Sequence, residues 1–594
     1  MYSHRRTVAL FFLTFSLFGI GEAAPKQCRC LYGQSCWPNQ SAFAALSRQI
    51  SQPLINPVPP ASACYPASSP SGDCAAVLTN FQDGLWRADQ PGAMQSPAFE
   101  TYTLRNGTIE GCYSNTTLGL PCLQGNVPPV GVDARTVGDV QAAVVFARKN
   151  NLRLVIKNSG HDYLGRSAGR GGFMLWTHHL KERSFNARFI PQGAPRSQRK
   201  TYQGELLAHQ SSPCLILFIK SSGHLGSGVQ WGEAYDYVNQ QGRFILGGLS
   251  LDGTVGAAGG WILGGGHSTF SSTFGFGVDN VLEFKAVLAD GKFVTVNAYQ
   301  NTDLFWAMRG GGGGTFGVLT SVTYQTHPIF PFAQSALTAA FATPSIAQSV
   351  LTEFVKLQPK LADLGWGGFT FITPAGIQIN YVAPNIDVAK ANATFSPFAD
   401  FVLNATQGAA QVGYTSFANF PDYFNVVFTG SPPQVGFPTE LTARLLSRSM
   451  AERNPAKVAQ AILAINDTVG AFSVAGGASS KPDPDAMALH PSMRKAVTNV
   501  MASVVWPEGS SGAVVQQQIE VLKKKTQILD RITTDSAAYL NEASLYEKDF
   551  KKSFFGSHYP KLRSIKAKYD PQSLFVVPRG VASDEWDSEL RCRL

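Results

Sequence analysis

The chain has 594 residues, of which 44% are hydrophobic and 15% are charged, and its formal net charge is +9. This composition excludes a disordered or fibrous chain and supplies apolar material for two or more packed domains. Positive charge is spread along the sequence, and its clusters at 523–525 and 551–552 fall in amphipathic, helix-like stretches. Solvated helix faces therefore explain the charge better than a nucleic-acid-binding surface, and no nucleic-acid partner is predicted.

Residues 1–24 are predicted to be a cleaved signal peptide. They start with His4, Arg5 and Arg6, continue through an apolar core and end in small residues. The stretch is short for a membrane span, so a retained signal anchor is the lesser alternative. No other stretch approaches eighteen apolar residues, and we expect no stable membrane insertion. The predicted location is the secretory-pathway lumen or beyond it, extracellular or vacuolar.

The segment 25–125 is rich in cysteine. Seven of the nine cysteines lie there, and the spacings of Cys64 with Cys74 and of Cys112 with Cys122 predict small stapled loops. A zinc site would need histidines nearby, which Cys28 and Cys30 lack, so no metal site is predicted. N-glycans are predicted at six sequons, whose asparagines are Asn39, Asn106, Asn115, Asn392, Asn404 and Asn466.

From residue 126, apolar runs alternate with helical patterns. Residues 137–150 have helix spacing, with apolar positions at Val140, Val144, Val145 and Ala147. An apolar strand at 154–156 then breaks into the polar turn 158–162. Glycine and serine at a strand end let backbone N–H groups approach a phosphate closely. His161 lies within this turn, where an ordinary turn residue is the plain alternative.

Three further glycine-rich blocks follow, at 253–268, 274–280 and 301–318. None is a clean G-x-G-x-x-G that opens a helix with an acidic residue about twenty positions on, which disfavours a dinucleotide-binding Rossmann fold. In order and spacing, the four blocks resemble the vanillyl-alcohol-oxidase type of FAD-linked oxidases, specifically the fungal secreted branch with a berberine-bridge-like C-terminus. The resemblance covers nearly the whole chain.

The resemblance implies an α+β fold. It has a PCMH-type FAD-binding domain of two subdomains at 126–328 and an antiparallel-sheet substrate domain at 329–533. A berberine-bridge-like segment at 534–594 would return to the FAD domain. The proline-rich sequence near His327 marks the domain boundary. Beyond it, the patterns predict a strand at 335–341, a helix at 345–357, a hairpin at 366–372 and 377–382, and a helix at 387–404.

Residues 205–224 depart from the family pattern. Relatives pass almost directly across this point, whereas here some twenty residues intervene, with an apolar run and the isolated Cys214. Two interpretations stay open, an unremoved intron in the gene model and a genuine surface loop. Sequencing of the transcript distinguishes them.

The resemblance also implies a site. FAD would be joined covalently through His161 to its 8α-methyl group, which should raise its redox potential. Many relatives have a second link from a cysteine, but that position here is Asp252, so a single link is expected. The other residues expected to contact FAD are Asn158, Ser159, Gly160, Asp162, Gly253, Thr254, Val255, Gly256, Gly259, Gly260, Gly266, His267, Val278 and Asn541.

The reaction implied is oxidation of an alcohol by hydride transfer to the flavin, with O2 as acceptor and H2O2 as product. Tyr539 is the candidate base; it would need its pKa lowered by a nearby cation, and a packing role is the alternative. His178 and His179 are expected to be structural or cofactor-adjacent, or to transfer protons. The cysteine-rich segment resembles the isoamyl-alcohol-oxidase-like subgroup, and a role in secondary metabolism is a close second. The alternative class is a dehydrogenase that excludes oxygen, or a secreted flavin-binding protein without oxidase turnover.

Overall fold

The structure is a computed structural model that describes residues 28–195, 221–428, 433–533 and 535–594. No helix in these ranges is long and apolar enough to cross a membrane. The two predicted disulfides, Cys64–Cys74 and Cys112–Cys122, are present, and Cys30–Cys36 and Cys28–Cys592 join them. The first elements are α1 Gln40–Ser47, β1 Leu54–Ile55, α2 Cys74–Asn80, α3 Gly84–Ala88, β2 Tyr102–Thr103 and β3 Ile109–Glu110.

A small sheet of order β1-β4-β6-β5 forms the first subdomain. Strands β4 (Val130–Asp133), β5 (Leu154–Lys157) and β6 (Phe173–Trp176) run parallel, and helix α4 (Val137–Lys149) follows β4. The helix begins at a capping box of Thr136 and Asp139, which satisfies its first N–H groups. Its predicted apolar positions are buried except Val145, which is 40% exposed because it lies off the buried face.

The second subdomain is an antiparallel sheet of order β11-β10-β12-β8-β7. Most of the predicted insertion lies outside the described residues, while its last residues, 221–224, lead into strand β8, which pairs with β12. The elements are β7 Arg183–Asn186, β8 Ser222–Gly226, α5 Trp231–Gln240, β9 Arg243–Phe244, α6 Gly260–Leu263, α7 Ser271–Phe274, β10 Val281–Val287, β11 Phe293–Asn297, α8 Thr302–Met308, β12 Val318–Gln325 and β13 His327–Pro328.

A seven-stranded antiparallel sheet of order β17-β14-β16-β15-β19-β20-β18 forms the third layer. One of its faces packs on helices in a single apolar core, as an α+β domain requires. The elements are β14 Phe332–Ala340, α9 Pro344–Asp363, β15 Gly367–Thr373, β16 Gly376–Pro384, α10 Val388–Ala405, β17 Ala410–Phe417, α11 Phe420–Phe428, β18 Thr439–Ser447, α12 Arg448–Arg453, α13 Pro455–Ala464, β19 Val469–Ser473, β20 Ala496–Val505 and α14 Gly512–Leu529.

The C-terminal segment returns to the FAD-binding region, as the resemblance implies. Helix α15 (Tyr559–Tyr569) carries the buried Lys566, whose Nζ donates to Thr315 O at 2.7 Å and to Phe575 O at 2.6 Å. The same ammonium pairs with the buried Asp570 at 2.6 Å. The Cys28–Cys592 disulfide ties the chain end to the start of the described residues. The predicted α+β fold is therefore confirmed.

Candidate active site

A cleft of about 750 Å³ opens where the first two sheets meet. One wall is the turn after β5, a second is the stretch from Val255 to Leu263, and a third runs from Gly313 into β12. Nine predicted cofactor contacts line the cleft, which are Asn158, Ser159, Gly160, His161, Asp162, Val255, Gly256, Gly259 and Gly260. Residues from three of the four sequence blocks, 158–162, 253–268 and 301–318, thus line the same cleft.

Glycine is favoured at two positions of this lining. A Cβ added to Gly256 or Gly259 would come within 2.8 or 3.0 Å of the Asn158 side chain. By contrast, a Cβ added to Gly260 would meet nothing within 4 Å, so this glycine faces open space. The arrangement leaves backbone exposed to an incoming group at a helix N-terminus, as phosphate binding requires.

Polar atoms without protein partners surround the cleft. Asn158 Oδ1, Ser227 Oγ and Arg166 Nη1 are buried and have no hydrogen-bond partner among the residues that the structure describes. Asp162 holds the guanidinium in place through a 2.6 Å bond from Arg166 Nε. Buried polar groups are normally satisfied, so these atoms indicate a polar ligand. Arg166 and Ser227 escaped the sequence prediction, although Arg166 lies four residues after Asp162.

These features fit FAD. Its pyrophosphate needs N–H donors and positive charge, which the glycine backbone and the Arg166 guanidinium supply. Its hydroxyl and ring heteroatoms need both donors and acceptors, which Ser227 and Asn158 supply.

His161 is half-buried beside the cleft with one polar contact. Its Nε2 lies 2.7 Å from Thr254 Oγ1, and burial lowers the pKa of His161 to about 4. The imidazole is therefore neutral at neutral pH, with an unprotonated ring nitrogen. Asp252, at the position where many relatives carry cysteine, is exposed and has φ 58°.

The other predicted residues lie behind or beyond the cleft. Thr254 orients His161, and Gly253 approaches the backbone of Gly232. Val278 is a core residue whose N–H bonds to Gly265 O, so it contacts the glycine loop from behind. Asn541 donates to Trp261 O at 3.0 Å, next to the cleft.

Tyr539 does not meet the condition set for a base. Its hydroxyl accepts bonds from Asn541 Nδ2 at 2.7 Å and from Gly266 N at 3.2 Å. Burial, with the nearby charge of Glu542, outweighs these bonds and raises the pKa of Tyr539 far above its ordinary value. The tyrosine therefore keeps its proton, because removal of the proton would leave a buried anion.

A carboxylate and an imidazole lie next to Tyr539. Glu542 Oε1 and Oε2 are 3.1 and 3.2 Å from His267 Nε2, and Glu542 Oε2 accepts a 2.7 Å bond from Asn499 Nδ2. The His267 ring also packs edge-on against Tyr539, with centroids 5.0 Å apart. The side chains of His267 and Glu542 are 12% and 22% exposed, which keeps them accessible. Sequence reasoning missed Glu542, whose only signal was its place beside Asn541.

Comparison with known proteins identifies the family of the chain. A family model for the FAD-binding domain matches residues 220–297, and a model described as berberine and berberine-like matches residues 538–582. An uncharacterised FAD-linked oxidoreductase of Arthroderma benhamiae is 34% identical over 99% of this chain and 100% of its own length. The VAO-type flavoprotein oxidase VAO615 of Thermothelomyces thermophilus is 32% identical over 96% of this chain and 95% of its own.

Solved structures of similar fold point to the same family. The crystal structure of the VAO-type flavoprotein MtVAO615 from Myceliophthora thermophila has a TM-score of 0.82 and 29% sequence identity, covering 96% of this chain and 100% of that one. MtVAO713 from the same fungus has a TM-score of 0.83 and 25% identity, covering 96% and 100%. The chain therefore belongs to the FAD-linked oxidoreductases of the vanillyl-alcohol-oxidase and berberine-bridge-like family, and its cofactor is FAD.

Proposed function

We propose that the chain is an oxidase that acts on the carbinol group of an apolar alcohol. When bound, FAD accepts the hydride, and O2 reoxidises it with release of H2O2. The observation that carries this proposal is the accessible pair of Glu542 and His267 beside the glycine cradle. Loss of hydride from a carbinol requires a group that takes the hydroxyl proton, and this pair can take it.

His161 is proposed as the covalent tether of FAD. A half-buried, desolvated imidazole with one hydroxyl contact stays neutral near pH 7, and its free ring nitrogen can form a bond to carbon. Asp252 cannot form the thioether that a cysteine would, which supports a single link. The remaining lining residues named above are proposed to hold FAD through backbone N–H groups and through the unpartnered atoms of Asn158, Ser227 and Arg166.

Glu542 is proposed as the general base, with His267 as the group that shares its proton. The bond from Asn499 orients the carboxylate, and the imidazole on its other side can carry a proton toward solvent. Tyr539, the base expected from sequence, is proposed instead to act as a protonated hydroxyl beside the base, because burial raises its pKa. The two roles follow from exposure, since Tyr539 is 1% exposed and the Glu542 side chain is 22% exposed.

A row of aromatic rings supports an apolar substrate. The row runs from His267 to Phe472, Phe371, Phe369 and Phe428, with successive centroids 6.5, 6.0, 5.9 and 5.8 Å apart. The three middle rings are partly exposed on the sheet face opposite the helices. Partly exposed phenylalanines in register on neighbouring strands form a surface for an aromatic or other unsaturated group.

A panel of aromatic alcohols, aliphatic alcohols and sugars tests the proposed function. Under anaerobic conditions an aromatic alcohol should bleach the flavin absorbance, and in air it should release one H2O2 per turnover. Bleaching without peroxide would identify a dehydrogenase, and no bleaching by any alcohol would contradict carbinol oxidation. Sugars should be poor substrates because the ring surface offers few hydrogen-bond partners.

Export is part of the proposal. All six sequon asparagines are exposed, and four disulfides require an oxidising compartment. An alcohol of secondary metabolism remains the proposed physiological substrate. Glycosidase treatment of protein secreted by a fungal host should lower its mass, and protein confined to the cytosol would contradict export.

A further inference from the structure

A second group of polar side chains, formed by Asp89, His178 and His179, lies outside the flavin cleft. One ligand atom from each lies within 4.8 Å of the other two. Asp89 Oδ1 is 3.2 Å from His179 Nε2 and 3.5 Å from His178 Nε2. The proposed oxidation uses none of these three residues.

Asp133 determines which nitrogen of His179 carries the hydrogen. Its Oδ2 accepts two bonds from Arg135, at 3.0 and 2.6 Å, and its Oδ1 accepts from His179 Nδ1 at 2.7 Å. This bond fixes the ring through Nδ1 and leaves Nε2 facing Asp89 Oδ1, 3.2 Å away.

His178 supplies a second, buried imidazole. Its side chain is 5% exposed, its ring stacks on Trp176 at 5.6 Å, and its Nδ1 has no partner among the residues that the structure describes. A buried imidazole whose Nε2 faces a carboxylate is suited to bind a metal ion.

We propose that Asp89, His178 and His179 form a Zn²⁺ site. Tetrahedral zinc with bonds of roughly 2.0–2.1 Å holds its ligand atoms roughly 3.3 Å apart, and the observed separations are 3.2 and 3.5 Å. Asp133 completes the carboxylate–histidine–zinc arrangement that orients a ligating imidazole. The Asp89 side chain is 65% exposed, so water can take the fourth position.

The ligands are held by rigid neighbours. Asp89 ends α3, which the fully buried Arg87 anchors through bonds to Met94 O and Glu100. The histidines follow β6, where Thr177 N bonds to Lys157 O at 2.8 Å. Zinc would thus join the N-terminal segment to the strand beside the cleft.

Lys181, two residues after His179, pairs with Glu233 at 2.7 Å, which offsets part of its repulsion of a bound cation.

Zinc titration of the flavin-loaded full chain, purified without a histidine tag and stripped with a chelator, tests the site. Competition with a chromophoric chelator should show one Zn²⁺ per chain, and Tm should rise with zinc. Asp89→Asn and His179→Gln should weaken binding at least tenfold. Asp485→Asn is the matched control, because it breaks an exposed carboxylate–histidine pair with His558 that belongs to no three-ligand group among the described residues.

Wild-type protein that binds no stoichiometric zinc would overturn the proposal, as would Asp89→Asn and His179→Gln proteins that bind zinc as tightly as wild type. Unchanged flavin content and circular dichroism in the variants show that a loss of zinc is not a loss of fold. If a variant fails to fold, Co²⁺ added to wild type still decides, because tetrahedral nitrogen and oxygen ligands should give intense visible bands and their absence contradicts the site. This test does not depend on oxidase activity.

Discussion

Two half-buried histidines next to the cleft have different polar partners. His161 contacts a hydroxyl, and desolvation lowers its pKa to about 4. His267 faces the Glu542 carboxylate, and its side chain is 12% exposed. The partner makes the difference: an imidazole that contacts a hydroxyl keeps an unprotonated nitrogen suited to bond formation, whereas an imidazole that faces a carboxylate has a group with which it can exchange a proton.

Replacement of Glu542, the proposed base, should have the largest effect. Glu542→Gln keeps the shape and the bond from Asn499 but removes the proton acceptor, so kcat should fall by about 10²- to 10⁴-fold. Stopped-flow measurement of flavin reduction checks this directly. Glu452→Gln, at an exposed pair with Arg448, is the control and should leave the rate unchanged.

Tyr539→Phe decides between the two candidate bases. Because Tyr539 keeps its proton, its loss should lower kcat by roughly tenfold or less, the value of one or two hydrogen bonds. A larger loss of kcat in Tyr539→Phe than in Glu542→Gln would identify Tyr539 as the base and would contradict the role proposed for Glu542.

The buried ion pair of Lys566 and Asp570 in the C-terminal segment should contribute strongly to stability. Lys566→Met leaves Asp570 as a buried, unpaired charge and should lower the free energy of unfolding by about 3–5 kcal/mol. Guanidinium unfolding with flavin absorbance as the signal measures this. Lys568→Met, at an exposed pair with Asp303, should leave the midpoint unchanged, and equal effects of the two changes would contradict the account.

The aromatic row should govern substrate binding. Phe369→Ala should raise KM for aromatic alcohols about tenfold, because one ring contact is lost, with a smaller change for short aliphatic alcohols. Phe293→Ala, at a ring 42% exposed on β11 of the second sheet, is the control. A uniform change for every alcohol would argue against direct contact.

The smallest effect is expected at Thr254. Thr254→Val removes the hydroxyl that orients His161 and should slow covalent attachment of flavin by roughly 2- to 10-fold, the value of one hydrogen bond. Acid-stable flavin followed over time in reconstituted protein measures it. An attachment rate equal to that of wild type would show that burial alone prepares the imidazole.

The glycine cleft can be predicted from sequence because glycine recurs where backbone faces open space. The turn at 158–162 and the glycines at 256, 259 and 260 line one cleft, as their pattern indicates, and their contact with FAD stays a prediction. Val278, also expected to contact FAD, packs in the core behind the glycine loop, where its N–H donates to Gly265 O. The helix predicted at 387–404 appears as Val388–Ala405, because its pattern is long and regular.

The substrate side was not readable. Phe472 lies near His267, Asn499 donates to Glu542, and Phe369 lies opposite Phe472 only after three strands and two loops converge, and no local spacing records that. The Cys28–Cys592 disulfide spans 564 residues and has no local signal either. Sites formed by side chains from distant strands can be recognised only when the fold is known.

The most direct test of the central claim is mass spectrometry of proteolytic peptides from the denatured protein. The account predicts that the peptide containing His161 carries one flavin, that its flavin remains after acid precipitation, and that His161→Ala protein has no acid-stable flavin. A His161 peptide of unmodified mass from active, yellow protein would contradict it.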